Sequence, residues 1–188
     1  MIMNSISSFI GSIERRLRRL IGDERGVSAV EFALLLPLML TLYFGAVEVS
    51  QGIGADRKVT LTARTIADLV SQVSSIGNSD MTNALNASSA VMAPFPVGNL
   101  KVTVTSVKID STGKATVDWS DTLNGTARAI GSTVTLPTAL NVANTSLIWS
   151  EVQYTYKPVI GYVVSGTLTL KDQIYMRPRL SDLVTRGT

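Results

Sequence analysis

Few residues in this chain have the types and spacing that covalent chemistry requires. The sequence contains no Cys and no His, which removes thiol and imidazole nucleophiles, the usual zinc ligands and any disulfide framework. Ser111-Thr-Gly-Lys114 matches a Ser-x-x-Lys dyad, but that dyad needs its serine at a helix start with the lysine one turn later. A glycine-containing turn is expected here instead. The sequence therefore predicts a protein that is not an enzyme and that uses no cofactor or metal.

Glu31 is the residue whose chemistry most needs an explanation. It opens an apolar stretch in which residues 32–47 carry no charge. A carboxylate inside the hydrocarbon region of a bilayer costs on the order of 3 kcal/mol. Two interpretations stay open: Glu31 is solvated near the headgroups in a free subunit, or it meets a cation that assembly supplies.

The apolar stretch is long enough to cross a membrane. Extended to Val27 and Val49, it supplies about the twenty residues that span a hydrocarbon core of roughly 30 Å. Five Arg residues precede it, and such an excess of cations marks the cytoplasmic side. We expect a cytoplasmic N-terminus, with the remaining chain outside. A cleaved secretory signal and a buried core helix are the alternatives, and Pro37 predicts a kink in the helix.

The charge of the remaining chain argues against one class of partner. The net charge is +3, but residues 27–188 carry 12 basic and 11 acidic groups. A nucleic-acid interface needs Lys and Arg clustered on one face of a domain. We therefore expect no nucleic-acid partner.

The order of residues around Glu31 resembles a known processing and assembly signal. The matching features, in chain order, are Gly26, Val27, Glu31-Phe32-Ala33, a Leu-rich core with Pro37, and Phe-Gly-Ala-Val-Glu48. Glu31 is the fifth residue after Gly26, as in type IV prepilins. The combination resembles the TadE-like minor pilins of the tight-adherence (Tad/Flp) pilus system. Phe32, where major pilins usually have Tyr, and the length of the chain favour a minor subunit.

This resemblance implies a processing route and a set of partners. A prepilin peptidase would cut between Gly26 and Val27, removing residues 1–26 as a cytoplasmic leader. Residues 27–50 would then form a single inner-membrane span, and the chain would meet other pilins and the Tad assembly platform. Cleavage would also expose an ammonium at Val27, and opposite charges attract strongly at low dielectric. The resemblance thus assigns Glu31 to assembly and axial register, whereas Glu48 is expected near the outer interface, where a charge costs little.

The rest of the chain predicts a pilin-like α+β fold. Residues 51–76 continue the helix as an amphipathic segment, with Gly52 and Gly54 as a hinge and Gly77 as its stop. Its apolar stripe is expected to comprise Val59, Ala63, Ile66, Leu69, Val70, Val73 and Ile76. Residues 77–188 form an extracytoplasmic head with a short helix from Ser79 to Met92, which Pro94 ends, and with an antiparallel sheet. The strands are expected at 100–110, with a bulge near Ser106, and at 114–120, 147–157 and 166–177, with a short one near 132–136.

The sequence leads to one main hypothesis and two rivals. The main hypothesis is a structural minor pilin that takes part in assembling or priming a pilus from the inner membrane. The first rival is a single-pass anchored periplasmic binding module that does not assemble. The second is an anchored hydrolase.

Overall fold

The computed structural model of this protein describes residues 24–161 and 165–187, with side chains from residue 26 onward. It shows a long N-terminal helix followed by a small head with an antiparallel four-stranded sheet. The predicted α+β class is confirmed. The chain divides into two compact units, with the boundary between Val47 and Glu48. Most of the predicted leader lies outside the described residues.

Helix α1 (Glu24–Ser71) supplies the whole described part of the first unit. Leu, Ala and Met, which dominate its first half, are strong helix formers. Pro37 lies inside the helix, and its carbonyl oxygen accepts a 2.8 Å hydrogen bond from the Thr41 hydroxyl. In the described chain, α1 is the one helix long and apolar enough to cross a membrane, and its apolar window is not buried. It fits a single-pass membrane anchor.

In the second unit, α1 contributes one side to the core. Val59, Ala63, Ile66 and Val70 are fully buried, and their spacing of three and four residues confirms the predicted stripe. Leu69 was expected on the same stripe but is 40% exposed.

The end of α1 corrects another expectation. The helix ends at Ser71 rather than continuing to Gly77. The Ser71 carbonyl accepts a 2.9 Å hydrogen bond from the backbone N–H of Arg179. The chain then enters the short strand β1 (Ser75–Ile76), which pairs in parallel with β6 (Thr185–Arg186). Neither strand was predicted.

Helix α2 (Asn78–Met92) confirms the predicted second helix. Gly77 occupies the N-cap position in an extended conformation without a side-chain cap. Met81, Leu85 and Met92 bury their side chains in the core that α1 also lines.

The four-stranded sheet is antiparallel in the order β3-β2-β4-β5. Its strands are β2 (Leu100–Ile109), β3 (Ala115–Leu123), β4 (Thr145–Tyr156) and β5 (Leu168–Met176). The β2–β3 register shifts between Ser106 and Val107, which confirms the expected bulge. The segment 132–136 forms only an isolated bridge, Thr116 to Thr133, instead of the predicted strand.

The two faces of the sheet have different environments. Val102, Val104 and Val152 lie on the face that packs in one core with α1 and α2. The opposite face is apolar at one end, where Leu147 and Trp149 pack with Leu136. Its other end is polar, because Lys101 and Gln153 alternate with the buried positions along β2 and β4.

Candidate functional site

The residues predicted to direct processing lie together at the start of α1. Gly26, Val27, Glu31 and Phe32 are all exposed, and Val27 and Phe32 are each 59% exposed. A side chain built at Gly26 would meet nothing within 4 Å. The segment is thus accessible on every side within the described chain.

Helical spacing sets the relation between Val27 and Glu31. Residues four apart on a helix are surface neighbours, one turn from each other. Glu31 makes no hydrogen bond or ion pair with any other described residue. The arrangement leaves the carboxylate available to a partner outside the chain.

The predicted hinge glycines lie within a continuous stretch of α1. A Cβ atom at Gly52 would lie 3.8 Å from Cε1 of Tyr156, and one at Gly54 would lie 3.8 Å from Cζ of Phe95. Both positions therefore face aromatic rings at van der Waals distance. A hinge at these glycines stays a prediction, as does the kink at Pro37.

Glu48 is buried, which the sequence did not indicate. It was expected near a solvated interface, but only 3% of its surface is exposed. The hydroxyl of Tyr156 is also buried and has no hydrogen-bond partner. Burial raises the pKa of Tyr156, and the charge of Glu48 raises that pKa further. Glu48 thus belongs to the electrostatic environment of the head core.

The start of α1 can be compared with known proteins. Residues 26–68 match the TadE-like protein family. The TadE-like segment, as we call residues 26–68, is consistent with a TadE-like pilin of the Tad system. No curated protein and no solved structure matches the chain.

Outside the TadE-like segment, the head carries a polar cluster that sequence reasoning missed. Arg128 forms an ion pair with Glu151, and its guanidinium carbon lies 3.9 Å from the centroid of the Trp149 ring. The Trp149 ring stacks on Tyr175 with centroids 5.3 Å apart. Alternation along β4 places Trp149 and Glu151 on one face, but Arg128 comes from a loop with no periodic pattern.

The rejected Ser-x-x-Lys match lies in a turn of the head, as expected. The Asp110 carboxylate accepts hydrogen bonds from the backbone N–H groups of Thr112 (2.8 Å) and Lys114 (2.9 Å). Gly113 has φ +82°, a left-handed conformation that glycine adopts without strain. Ser111 and Lys114 are therefore parts of a hairpin turn between β2 and β3. No group of three or more metal-ligating side chains occurs among the described residues.

Proposed function

We propose that this chain is a structural, non-enzymatic minor pilin that takes part in assembling or priming a Tad/Flp-type pilus. The match of residues 26–68 to the TadE-like family carries the proposal. The exposed apolar half of α1 supports it, because such a surface is stable only in lipid or against other helices.

Processing is the first step of the proposed route. A prepilin peptidase cuts between Gly26 and Val27 and leaves α1 with a charged amino terminus. The mature chain stays in the inner membrane as a single span, with its N-terminus on the cytoplasmic side and its head in the periplasm. The assembly platform then moves the chain toward the pilus.

Glu31 acts in the second step, when subunits associate. Its carboxylate pairs with the amino terminus of Val27 on a neighbouring pilin. An isolated carboxylate in a low-dielectric environment is costly, and a paired one is far less so. Pairing therefore favours association in one axial register, while Phe32 packs against the neighbouring helix.

Mass spectrometry of the mature chain from its native host tests the processing step. We expect Val27 as the first residue. An intact N-terminus on chains in the membrane contradicts processing and favours the anchored binding module that does not assemble.

The variant Glu31→Ala tests the assembly step. We expect normal membrane insertion and loss of incorporation into pili, because the charge pair is absent. Asp56→Ala is the matched control, since Asp56 is another exposed carboxylate on α1 and should leave incorporation unchanged. Normal incorporation of Glu31→Ala would overturn the role given to Glu31.

A further inference from the structure

The polar end of the outer sheet face forms an open groove of about 830 Å³. Its lining includes Lys101, Thr103, Arg128, Glu151, Gln153 and Lys171. A groove of this size is in the range of small-ligand sites. Its lining contains few apolar side chains, which excludes a mainly hydrophobic ligand.

One row of side chains crosses the groove in register. Lys101 of β2 pairs with Gln153 of β4, and Gln153 pairs with Lys171 of β5. Neighbouring strands are about 4.8 Å apart, so the backbones of the two lysines are separated by roughly 10 Å. None of the three side chains makes a hydrogen bond or ion pair with another described residue. The Gln153 amide therefore lies between two unpaired lysine side chains, and it is free to donate and accept hydrogen bonds.

The two carboxylates that border the groove already have partners within the head. Glu151 is paired with Arg128. Asp172 accepts hydrogen bonds from the Thr60 hydroxyl of α1 and from the backbone N–H of Gln173. The groove consequently carries a net positive charge, which comes from the two lysines. This charge favours an anionic ligand.

One wall of the groove is formed by the loop from Asn124 to Arg128, and contacts within the head fix this loop before any ligand binds. Arg128 donates a 3.2 Å hydrogen bond to the Thr105 hydroxyl and lies on the Trp149 ring. At the start of the same loop, the Asn124 amide donates a 3.1 Å hydrogen bond to the Leu100 carbonyl. A Cβ at Gly125 would come within 2.6 Å of the Thr122 hydroxyl, so the loop fits closely there. A preformed wall lowers the ordering cost of binding.

We propose that this groove binds an acidic polysaccharide, with Lys101 and Lys171 contacting carboxylate groups of the sugar chain. The remaining polar side chains fit sugar hydroxyls, because Thr hydroxyls and Gln amides both donate and accept hydrogen bonds. An acidic peptide would satisfy the lysines but would offer few hydroxyls to Thr103 and Gln153. This binding site belongs to the head and is independent of assembly through α1.

Binding of the full-length chain in detergent micelles to a galacturonate hexasaccharide tests the proposal. Maltohexaose is the neutral comparison and a glutamate hexapeptide is the peptide comparison. We expect the acidic sugar to bind at least about tenfold more tightly than maltohexaose, since the charge-assisted contacts together contribute more than about 1.4 kcal/mol. It should also bind more tightly than the peptide, because the peptide offers few hydroxyls to the remaining polar side chains of the groove. Binding should weaken with added salt. Equal binding of maltohexaose, equal binding of the peptide, or absence of galacturonate binding overturns the proposal.

The double variant Lys101→Gln/Lys171→Gln assigns the binding to the groove. It should lose about tenfold or more in galacturonate affinity and keep its unfolding temperature, because both side chains are exposed. Lys108→Gln is the control, since Lys108 is an exposed lysine of β2 outside the groove. Unchanged affinity in the double variant, or an equal loss in Lys108→Gln, contradicts the assignment.

Discussion

At the scale of single residues, the ring and the hydroxyl of Tyr156 should contribute differently to the stability of the head. Its ring meets Phe95 edge-on, with centroids 6.2 Å apart, but its buried hydroxyl has no hydrogen-bond partner. A buried hydroxyl without a partner loses its hydration and gains nothing in return. The packing of the ring, rather than its hydroxyl, should account for the contribution of Tyr156 to stability.

This difference can be measured with two variants. Tyr156→Phe should change the free energy of unfolding by less than about 1 kcal/mol, whereas Tyr156→Ala should lower it by about 3–5 kcal/mol. Denaturant unfolding in detergent, followed by tryptophan fluorescence, gives both values, because the two Trp residues, 119 and 149, lie in the sheet. Equal losses in the two variants would show that the hydroxyl itself is important.

Asp110 should make head stability depend on pH. The Thr112 hydroxyl and the backbone N–H of Lys114 lower the pKa of the Asp110 carboxyl. A lowered folded-state pKa stabilises the fold above the unfolded value of about 3.9, and this contribution is lost as pH falls through the folded value. Asp110→Ala should therefore lower the unfolding temperature at pH 7, by an amount that shrinks below about pH 4.

The control for Asp110 is a carboxylate of the same hairpin without such contacts. Asp118 makes no hydrogen bond or ion pair with another described residue. Asp118→Ala should therefore lack the pH-dependent difference. If both variants show the same pH profile, net charge rather than the turn explains the effect.

The sequence indicated some of the residues of the proposed functional sites and left others unnoticed. The grouping of Gly26, Val27 and Glu31 could be recognised because all its members are close in sequence. The burial of Glu48 could not be recognised, since Tyr156, whose pKa its charge raises, lies far along the chain. The contact of Arg128 with Trp149 was missed for the same reason: a loop side chain has no periodicity that shows where it packs.

At the scale of elements, Gly52 allows a direct test of the hinge. A methyl group at Gly52 would meet Tyr156 at an ordinary contact distance of 3.8 Å. Alanine is favoured over glycine within a helix by about 0.5–1 kcal/mol. Gly52→Ala should therefore stabilise the head by about that amount in denaturant unfolding. Reduced pilus incorporation together with this gain would support a hinge, and unchanged incorporation would contradict one.

The side chain of Arg186 connects strand β6 to several other segments of the head. Its guanidinium donates hydrogen bonds to Asp121 (2.9 Å), the Ile76 carbonyl (3.1 Å) and Asn78 (2.7 Å). The side chain is 22% exposed, whereas Arg179, which pairs with Asp68, is 58% exposed. Arg186→Ala should lower the free energy of unfolding by about 1–3 kcal/mol.

Arg179→Ala is the matched comparison for Arg186→Ala. Its exposed ion pair should contribute less than about 1 kcal/mol. Chemical denaturation of both variants under the same conditions gives the comparison. A larger loss for Arg179→Ala would mean that exposure does not determine the strength of these contacts.

Elements with a local pattern were predicted well from the sequence. The alternation of side chains along β4 and β5 predicted the bounds of these strands to within a few residues. Pro94 did the same for the end of α2. The end of α1 at Ser71 and the β1–β6 pair were not predicted. Both depend on contacts between segments about 110 residues apart, such as Thr185 N–H to the Ser74 carbonyl, which leave no local signal.

At the scale of the whole molecule, the absence of Cys makes the proposed orientation testable by labelling. Ser111→Cys lies in an exposed turn of the head and should react with a membrane-impermeant maleimide on spheroplasts. Ser8→Cys, measured on chains that retain the leader, should react only after permeabilisation. The opposite pattern would place the head in the cytoplasm and contradict the proposed topology.

The last segment of the head also has a consequence for the timing of its folding. The Trp119 indole N–H donates a 2.7 Å hydrogen bond to the Val184 carbonyl, and the Ser146 hydroxyl donates to the Asp182 carbonyl. These acceptors leave the ribosome after all of the sheet strands β2 to β5. Until they arrive, a core indole has no partner, and buried polar groups without partners are costly. A nascent chain can therefore form its hairpins as the strands emerge, but it can complete its core only after residues 182–184 have emerged as well.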